Sequence, residues 1–166
     1  MTPTLLLING PMGSGKSTLT KELDQRLADY TFIDRAYIKD VMLRRLKKEN
    51  RPLAKQLSQE ATLHLARGLM PLQKNILIQE VSPYTLQLHL GSLMQAHNYR
   101  LRSFFLTCSL DTSQRRVWER GGQYTAERVK KIYQTSHALE GDILVDTELL
   151  LPEQSLQRIM CELEAS

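Results

Sequence analysis

Short apolar runs alternate with amphipathic stripes along the whole chain. "TLLLIN" (Thr4 to Asn9) is an apolar run of strand length, suited to a buried parallel strand. "STLTKELDQRL" then sets Leu19, Leu23 and Leu27 at intervals of four, one stripe of a helix. "YTFID" (Tyr30 to Asp34) predicts a second strand, and "AYIKDVMLRRLKKE" a helix with Ile38, Val41, Met42 and Leu46 on one face. Asn50-Arg51-Pro52 breaks that helix, and "LAKQLSQEATLHLARGLM" begins another. "NILIQEV" (Asn75 to Val81) predicts the third strand, Ser82-Pro83 turns out of it, and "YTLQLHLGSLMQAHN" is helical. "LRSFFLTCSL" (Leu101 to Leu110) is the fourth strand. "DTSQRRVWERG" follows as a helix capped by Asp111 and stopped at Gly121-Gly122. "TAERVKKIYQTSHAL" starts at Thr125 with Arg128 where a capping box wants Glu or Gln, so its cap is the weaker kind. "DILVD" (Asp142 to Asp146) is the fifth strand, and "PEQSLQRIMCELEA" is a last helix with Pro152 in its first turn. Strand and helix alternating to the end predict an α/β domain: five parallel strands with helices on both faces.

The 166 residues suffice for one domain with a substantial core, spanning 1–166. Hydrophobic content of 42% and charged content of 24% are those of a globular protein. No apolar run reaches membrane-spanning length. No basic region precedes "TLLLI", so it reads as a core strand and not a signal peptide. Cys108 and Cys161 fit no metal or redox spacing and read as buried free thiols of a reducing, cytoplasmic protein. His64, His89, His97 and His137 show no paired ligand spacing and read as structural or surface residues.

Two features add chemistry. Between the first strand and the first helix lies Gly10-Pro11-Met12-Gly13-Ser14-Gly15-Lys16-Ser17, a full match to G-x-x-x-x-G-K-[ST] in the strand–loop–helix context it requires. Glycines let successive N–H groups turn inward around an anion. The helix that follows aims its N-terminal dipole at the same place. Lys16 reaches the outer phosphates and the Ser17 hydroxyl is a hard oxygen for Mg²⁺. The loop therefore predicts binding of a nucleoside triphosphate, ATP with Mg²⁺. The second feature is the placement of the net charge of +4. Arg35 to Arg51 holds seven basic residues against two acids, and Arg115 to Lys131 six against two. Such clusters suit anionic ligands or a solvated helix face.

Ligands of open α/β sheets sit beyond the carboxyl ends of the strands. That points to Asp34, to Gln79-Glu80 and to Asp146-Thr147. With "GPMGSGKST", "FIDRAYIK" and "QRRVWERGG…TAERVKKIY" in view, the chain resembles the small P-loop kinases. That branch includes shikimate and gluconate kinases, chloramphenicol phosphotransferase, zeta-type toxins and the kinase domain of polynucleotide kinase. The resemblance implies an ATP-dependent kinase with an arginine-bearing lid, here about residues 115–126. It places Arg116 near the adenine and Arg120 on the transferring phosphoryl group, unless the two are a surface pair on a helix. Gly10, Met12, Gly13, Ser14, Gly15, Lys16, Ser17 and Thr18 form the nucleotide loop, and Thr147 lies close to adenine or in a short turn.

One departure stands out: relatives carry an acid at the position of Ala36, and polynucleotide kinases an arginine at that of Lys39. Asp34 is then the remaining carboxylate to orient the acceptor hydroxyl or hold the metal with Ser17, unless it is only a helix cap. Glu80 is able to share that duty. Lys39 and Arg44 are candidates for an anionic substituent on the acceptor. The expected reaction is transfer from ATP to a hydroxyl of a small-molecule or nucleoside-like acceptor, with Lys16, Asp34 and Arg120 catalytic. A 5′-hydroxyl polynucleotide kinase with a nucleic-acid partner, and an NTP-binding switch, are the alternatives. Trp118 is expected either buried against the sheet or over the nucleotide.

Overall fold

The computed structural model describes residues 2–44, 48–121 and 124–165, apart from the side chains of Lys48 and Pro83. Of the residues singled out in the sequence, Arg45, Leu46, Lys47, Gly122 and the Lys48 side chain lie outside these. The strands are β1 (Thr4–Asn9), β2 (Tyr30–Asp34), β3 (Asn75–Gln79), β4 (Arg100–Thr107) and β5 (Ile143–Asp146). The helices are α1 (Lys16–Arg26), α2 (Arg35–Leu43), α3 (Arg51–Leu69), α4 (Pro83–Ala96), α5 (Leu110–Glu119), α6 (Ala126–Thr135) and α7 (Pro152–Glu164). The strands form one parallel sheet in the order β2–β3–β1–β4–β5. β2 pairs with β3 from Tyr30 opposite Asn75 to Asp34 opposite Gln79, so both strands end level. β4 and β5 pair from Phe104 opposite Ile143 to Thr107 opposite Asp146.

Two compact units divide the chain, Met1–Leu7 with Leu27–Arg102 and Ile8–Arg26 with Ser103–Ser166. The first holds a continuous core in which Leu5, Leu7, Ile76 and Ile78 from the strands meet Ala66, Met70, Leu86 and Leu90 from helical segments. In the second, Ile8, Phe104, Leu106, Leu23, Leu156 and Ile159 are wholly or almost wholly buried. An Arg26–Glu153 ion pair of 2.9 Å joins α1 to α7. Among the described residues no helix is long and apolar enough to cross a membrane.

Helix starts follow local chemistry. Ser82, Ser109 and Thr125 accept from the backbone N–H groups of Thr85, Thr112 and Arg128 at the starts of α4, α5 and α6. For α5 this moves the cap from Asp111 to Ser109. Asp111 instead lies in the first turn, where its charge suits the helix dipole. The α2 stripe also departs from expectation. The helix stops at Leu43 and buries none of its residues fully, and Val41 is 43% exposed. The stripe is cut short before it can seat, leaving Ile38 as its contact with the core. Cys108 is buried as expected, whereas Cys161 is exposed. Trp118 is 82% exposed and so is not buried against the sheet.

Candidate functional site

In the second unit, the segment between β1 and α1 is shaped by two glycines that nothing larger can replace. Gly10 has φ +143°, and a Cβ there would stand 2.4 Å from the Leu106 carbonyl oxygen. Gly13 has φ +81°, and its Cβ would meet the Ser113 carbonyl oxygen at 2.6 Å. Side chains are excluded at both positions, so the loop presents backbone. Lys16, itself buried, donates from Nζ to the carbonyl oxygens of Gly10 (2.9 Å) and Pro11 (2.8 Å). Its ammonium is thereby folded back over the hollow it would neutralise. Ser17 and Thr18 are exposed at the start of α1, and Ser14 is fully buried with its Oγ unpartnered.

Helix α5 is tied to this loop. Ser113 Oγ donates to the Met12 carbonyl. Arg116 donates to Gly13 O (3.3 Å), Thr147 Oγ1 (3.0 Å) and Thr147 O (2.6 Å). Thr147 in turn donates to Thr107 O from both its N–H and its hydroxyl. One guanidinium thus joins the glycine-rich loop, α5 and the turn after β5. Glu148 completes the tie: its carboxylate accepts from Thr112 Oγ1 (2.7 Å), Ser109 N (2.7 Å) and Ser109 Oγ (3.0 Å). These bonds, the Thr112 hydroxyl foremost, hold the Glu148 carboxyl below its ordinary pKa. Arg120 is different. It caps the end of α5, where its backbone N–H donates to Trp118 O, and its guanidinium is exposed with no hydrogen-bond partner among the described residues. Burial pushes the Cys108 thiol up, so it is a poor nucleophile.

In the first unit, β2 passes into α2 without an intervening residue. Asp34 Oδ1 caps α2 by accepting from the Tyr37 N–H at 3.1 Å, and Oδ2 takes no hydrogen bond among the described residues. The capping reading is therefore met, and it leaves one carboxylate oxygen available. Arg35 donates to Glu80 O (2.7 Å) and Lys55 O (3.3 Å). Burial lowers its pKa, against the opposing pull of the Glu80 carboxylate. Lys39 lies 3.9 Å from Glu80 Oε2. Glu80 adopts φ +66°, a left-handed conformation that disfavours a side chain. Arg44 is exposed at the end of α2. Beside Asp34 opens a cavity of about 670 Å³, with Phe32, Tyr37, His64 and Leu65 in its wall.

Ser113, Glu148, Arg35 and this cavity went unnoticed in the sequence. Ser113 and Glu148 act through hydrogen bonds between distant segments, which periodicity does not encode. Arg35 looked like one more member of a basic run.

A nucleotide with Mg²⁺ fits the second unit: a loop of backbone in which a Cβ would collide, a lysine over it and an exposed hydroxyl behind it. No cluster of three or more His, Cys, Asp or Glu able to hold a metal occurs among the described residues.

A parallel sheet with this loop after its first strand defines a P-loop nucleotide-binding fold. The chain belongs to the AAA domain family, whose model matches residues 6–134. The fold is that of a candidate kinase from Chloroflexus aurantiacus, with a TM-score of 0.79 at 17% identity over 99% of this chain and 97% of that one. It is also that of a gluconokinase from Sinorhizobium meliloti (TM-score 0.64, 16% identity, 98% and 97%). A chain of the Pnkp1/Rnl/Hen1 RNA repair complex is similar too (TM-score 0.64, 15% identity), over 97% of this chain and 46% of that one. No curated protein matches the sequence.

Proposed function

We propose that the protein is an ATP-dependent phosphotransferase that moves the γ-phosphoryl group to a hydroxyl of a small-molecule acceptor. The observation that carries this reading is the phosphate loop itself, with Lys16 bonded to Gly10 O and Pro11 O over a glycine-formed hollow. Phosphoryl transfer asks for positioning and charge neutralisation more than for covalent chemistry. Loop N–H groups from Gly10 to Thr18 hold the phosphates, and Lys16 exchanges its carbonyl partners for phosphate oxygens. Ser17 would hold Mg²⁺, with Asp34 as a second hard-oxygen donor, and the ion would neutralise charge across the outer phosphates. Arg116, pinned to Thr147 and Gly13, flanks the base. Arg120, unengaged, swings to the γ-phosphoryl group as charge develops.

The acceptor oxygen forms its bond to the γ-phosphorus as the β–γ bridging bond breaks, and ADP leaves with that electron pair. Asp34 Oδ2 takes the hydroxyl proton and returns it to solvent, with Glu80 as the neighbouring carboxylate. Gluconokinase likeness at the level of fold supports a small acceptor. With ATP as donor, the protein would work in the cell interior. The experiment is transfer of labelled phosphate from ATP to a panel of alcohols, by parent protein and Lys16→Ala. Transfer that Lys16→Ala abolishes supports the reading; transfer it retains within a few-fold overturns it.

A second reading is a 5′-hydroxyl polynucleotide kinase. Trp118, 82% exposed beside Arg115 and near Tyr124 with Arg128 over its ring at 5.5 Å, favours it as a base-stacking surface. The RNA repair chain is similar in fold. Salt separates the two: an oligonucleotide acceptor loses affinity steeply with added salt, a small acceptor hardly at all.

A further inference from the structure

The cavity in the first unit has a definite chemical character. Its volume of about 670 Å³ falls in the roughly 300–1,000 Å³ range of small-molecule sites. Phe32, Ile33, Tyr37, Ile38, Leu65 and Leu69 make its walls apolar. Among the described residues, polar side-chain groups enter from Thr31, Asp34, His64 and the Tyr37 hydroxyl. Tyr37 is 62% exposed and Leu65 49% exposed, so large apolar surface stands at the opening among the described residues. The two cations expected from the sequence to meet an anionic substituent are not in the lining. Lys39 lies against Glu80, and Arg44 stands at the far end of α2.

Two further observations bear on what belongs there. Gly68 lies in the last turn of α3 with an ordinary helical φ, and a Cβ built on it meets nothing within 4 Å. Nothing in the backbone requires glycine there, and its presence keeps that wall open. β2 is the end strand of the sheet, and Thr31, Phe32 and Ile33 line the cavity from it. Its unpaired edge supplies a few backbone donors and acceptors, the directional bonds that fix orientation in an otherwise apolar site.

We infer that this cavity is the acceptor subsite and that it takes an amphipathic alcohol, a hydroxyl at the Asp34 end on a mostly apolar, ring-bearing or branched body. This rests on the phosphotransferase reading and narrows its acceptor. A polyol or a sugar acid would set hydroxyls and charge against the apolar faces of Phe32, Ile38 and Leu65, and gains less there than an apolar body does. An apolar body loses nothing there and removes Tyr37 and Leu65 from water.

The test uses the full chain with MgATP and four alcohols: 2-naphthylmethanol, benzyl alcohol, glycerol and D-gluconate. Transfer is measured as kcat/KM. Binding of 2-naphthylmethanol is measured separately, without ATP, from the NMR shifts of the leucine and isoleucine methyls. The expected result is a kcat/KM for 2-naphthylmethanol roughly 10²-fold above that for glycerol, with benzyl alcohol between. Leu65→Glu puts charge at an exposed wall position and Gly68→Phe grows an aromatic into empty space. Each should lower kcat/KM and binding for 2-naphthylmethanol about 10-fold or more with ATP affinity unchanged. Gly68→Ala, a far smaller intrusion, reports whether the helix tolerates change there.

Transfer to glycerol or gluconate that exceeds transfer to the aryl alcohols, and that survives both blocking variants, overturns the cavity inference while phosphotransfer stands. Methyl shifts that vanish in the blocking variants, with no alcohol phosphorylated, overturn the phosphotransferase reading while the apolar subsite stands. Absence of both binding and transfer overturns both.

Discussion

The chain leaves a strand for a helix at residues 10–15 and again at Asp34, and the two turns are built in opposite ways. The first spends six residues between β1 and α1, with glycines at φ +143°, +81° and +89°, and offers a ligand its backbone. The second spends none: Asp34 ends β2 and caps α2 in one step, and side chains wall the space beside it. A phosphate is the same in every nucleotide, so a fixed ring of N–H groups serves. An acceptor has a shape of its own, which side chains must match. Backbone recognition leaves a sequence signature because few residues permit it; side-chain recognition leaves almost none.

The sharpest break in that contrast is Lys16→Ala. It should reduce transfer by about 10³-fold or more through loss of a preorganised positive charge, while binding of an aryl alcohol to the first unit persists. Asp34→Asn comes next. Asparagine caps helices as well as aspartate does, so melting temperature and ATP affinity should hold while transfer falls by roughly 10²-fold, the worth of a positioned base. Full activity in that variant would reduce Asp34 to its structural role.

The roles proposed for Arg116 and Arg120 separate binding from chemistry. Arg120→Ala should lower kcat far more than ATP affinity, because its contact forms as charge develops. Arg116→Ala should mainly raise KM for ATP, since it cuts bonds to Gly13 and Thr147 that stand before any ligand arrives. The reverse pattern would exchange their roles.

A smaller effect concerns acid. Glu148 has its pKa lowered in the folded protein, first by the Thr112 hydroxyl and then by the Ser109 N–H and hydroxyl. Its contribution is therefore complete above the ordinary carboxylate pKa and disappears as pH falls through the lowered value. Melting curves of the parent and Glu148→Gln should differ at neutral pH and converge in acid. Smallest of all, Gly68→Ala should raise stability by about 0.5–1 kcal/mol, the helix preference of alanine over glycine, as checked by urea unfolding.

The strands and the phosphate loop were legible because both follow short-range rules. β2 spans Tyr30–Asp34 as its apolar run predicts, and Lys16 opens α1 where the motif ends. Less of the rest was visible. α2 lost its stripe because a helix of nine residues cannot complete one. α5 is capped by Ser109 rather than Asp111, and the Glu148 carboxylate from beyond β5 holds that serine. Arg116 stood out in the sequence, but its bond to Thr147 joins positions 31 apart. The cavity was illegible for the same reason: Phe32 and Leu65 share a wall without sharing a period.

Glu80 carries a consequence of another kind. Its φ of +66° is a conformation in which glycine or asparagine is more comfortable than glutamate. A library of variants at position 80 sorted by heat resistance should drift toward Gly and Asn. The same library sorted by turnover should keep the acid that faces Lys39 across 3.9 Å. Where the two selections part company, the chain is holding a chemical group in place against the preference of its own backbone.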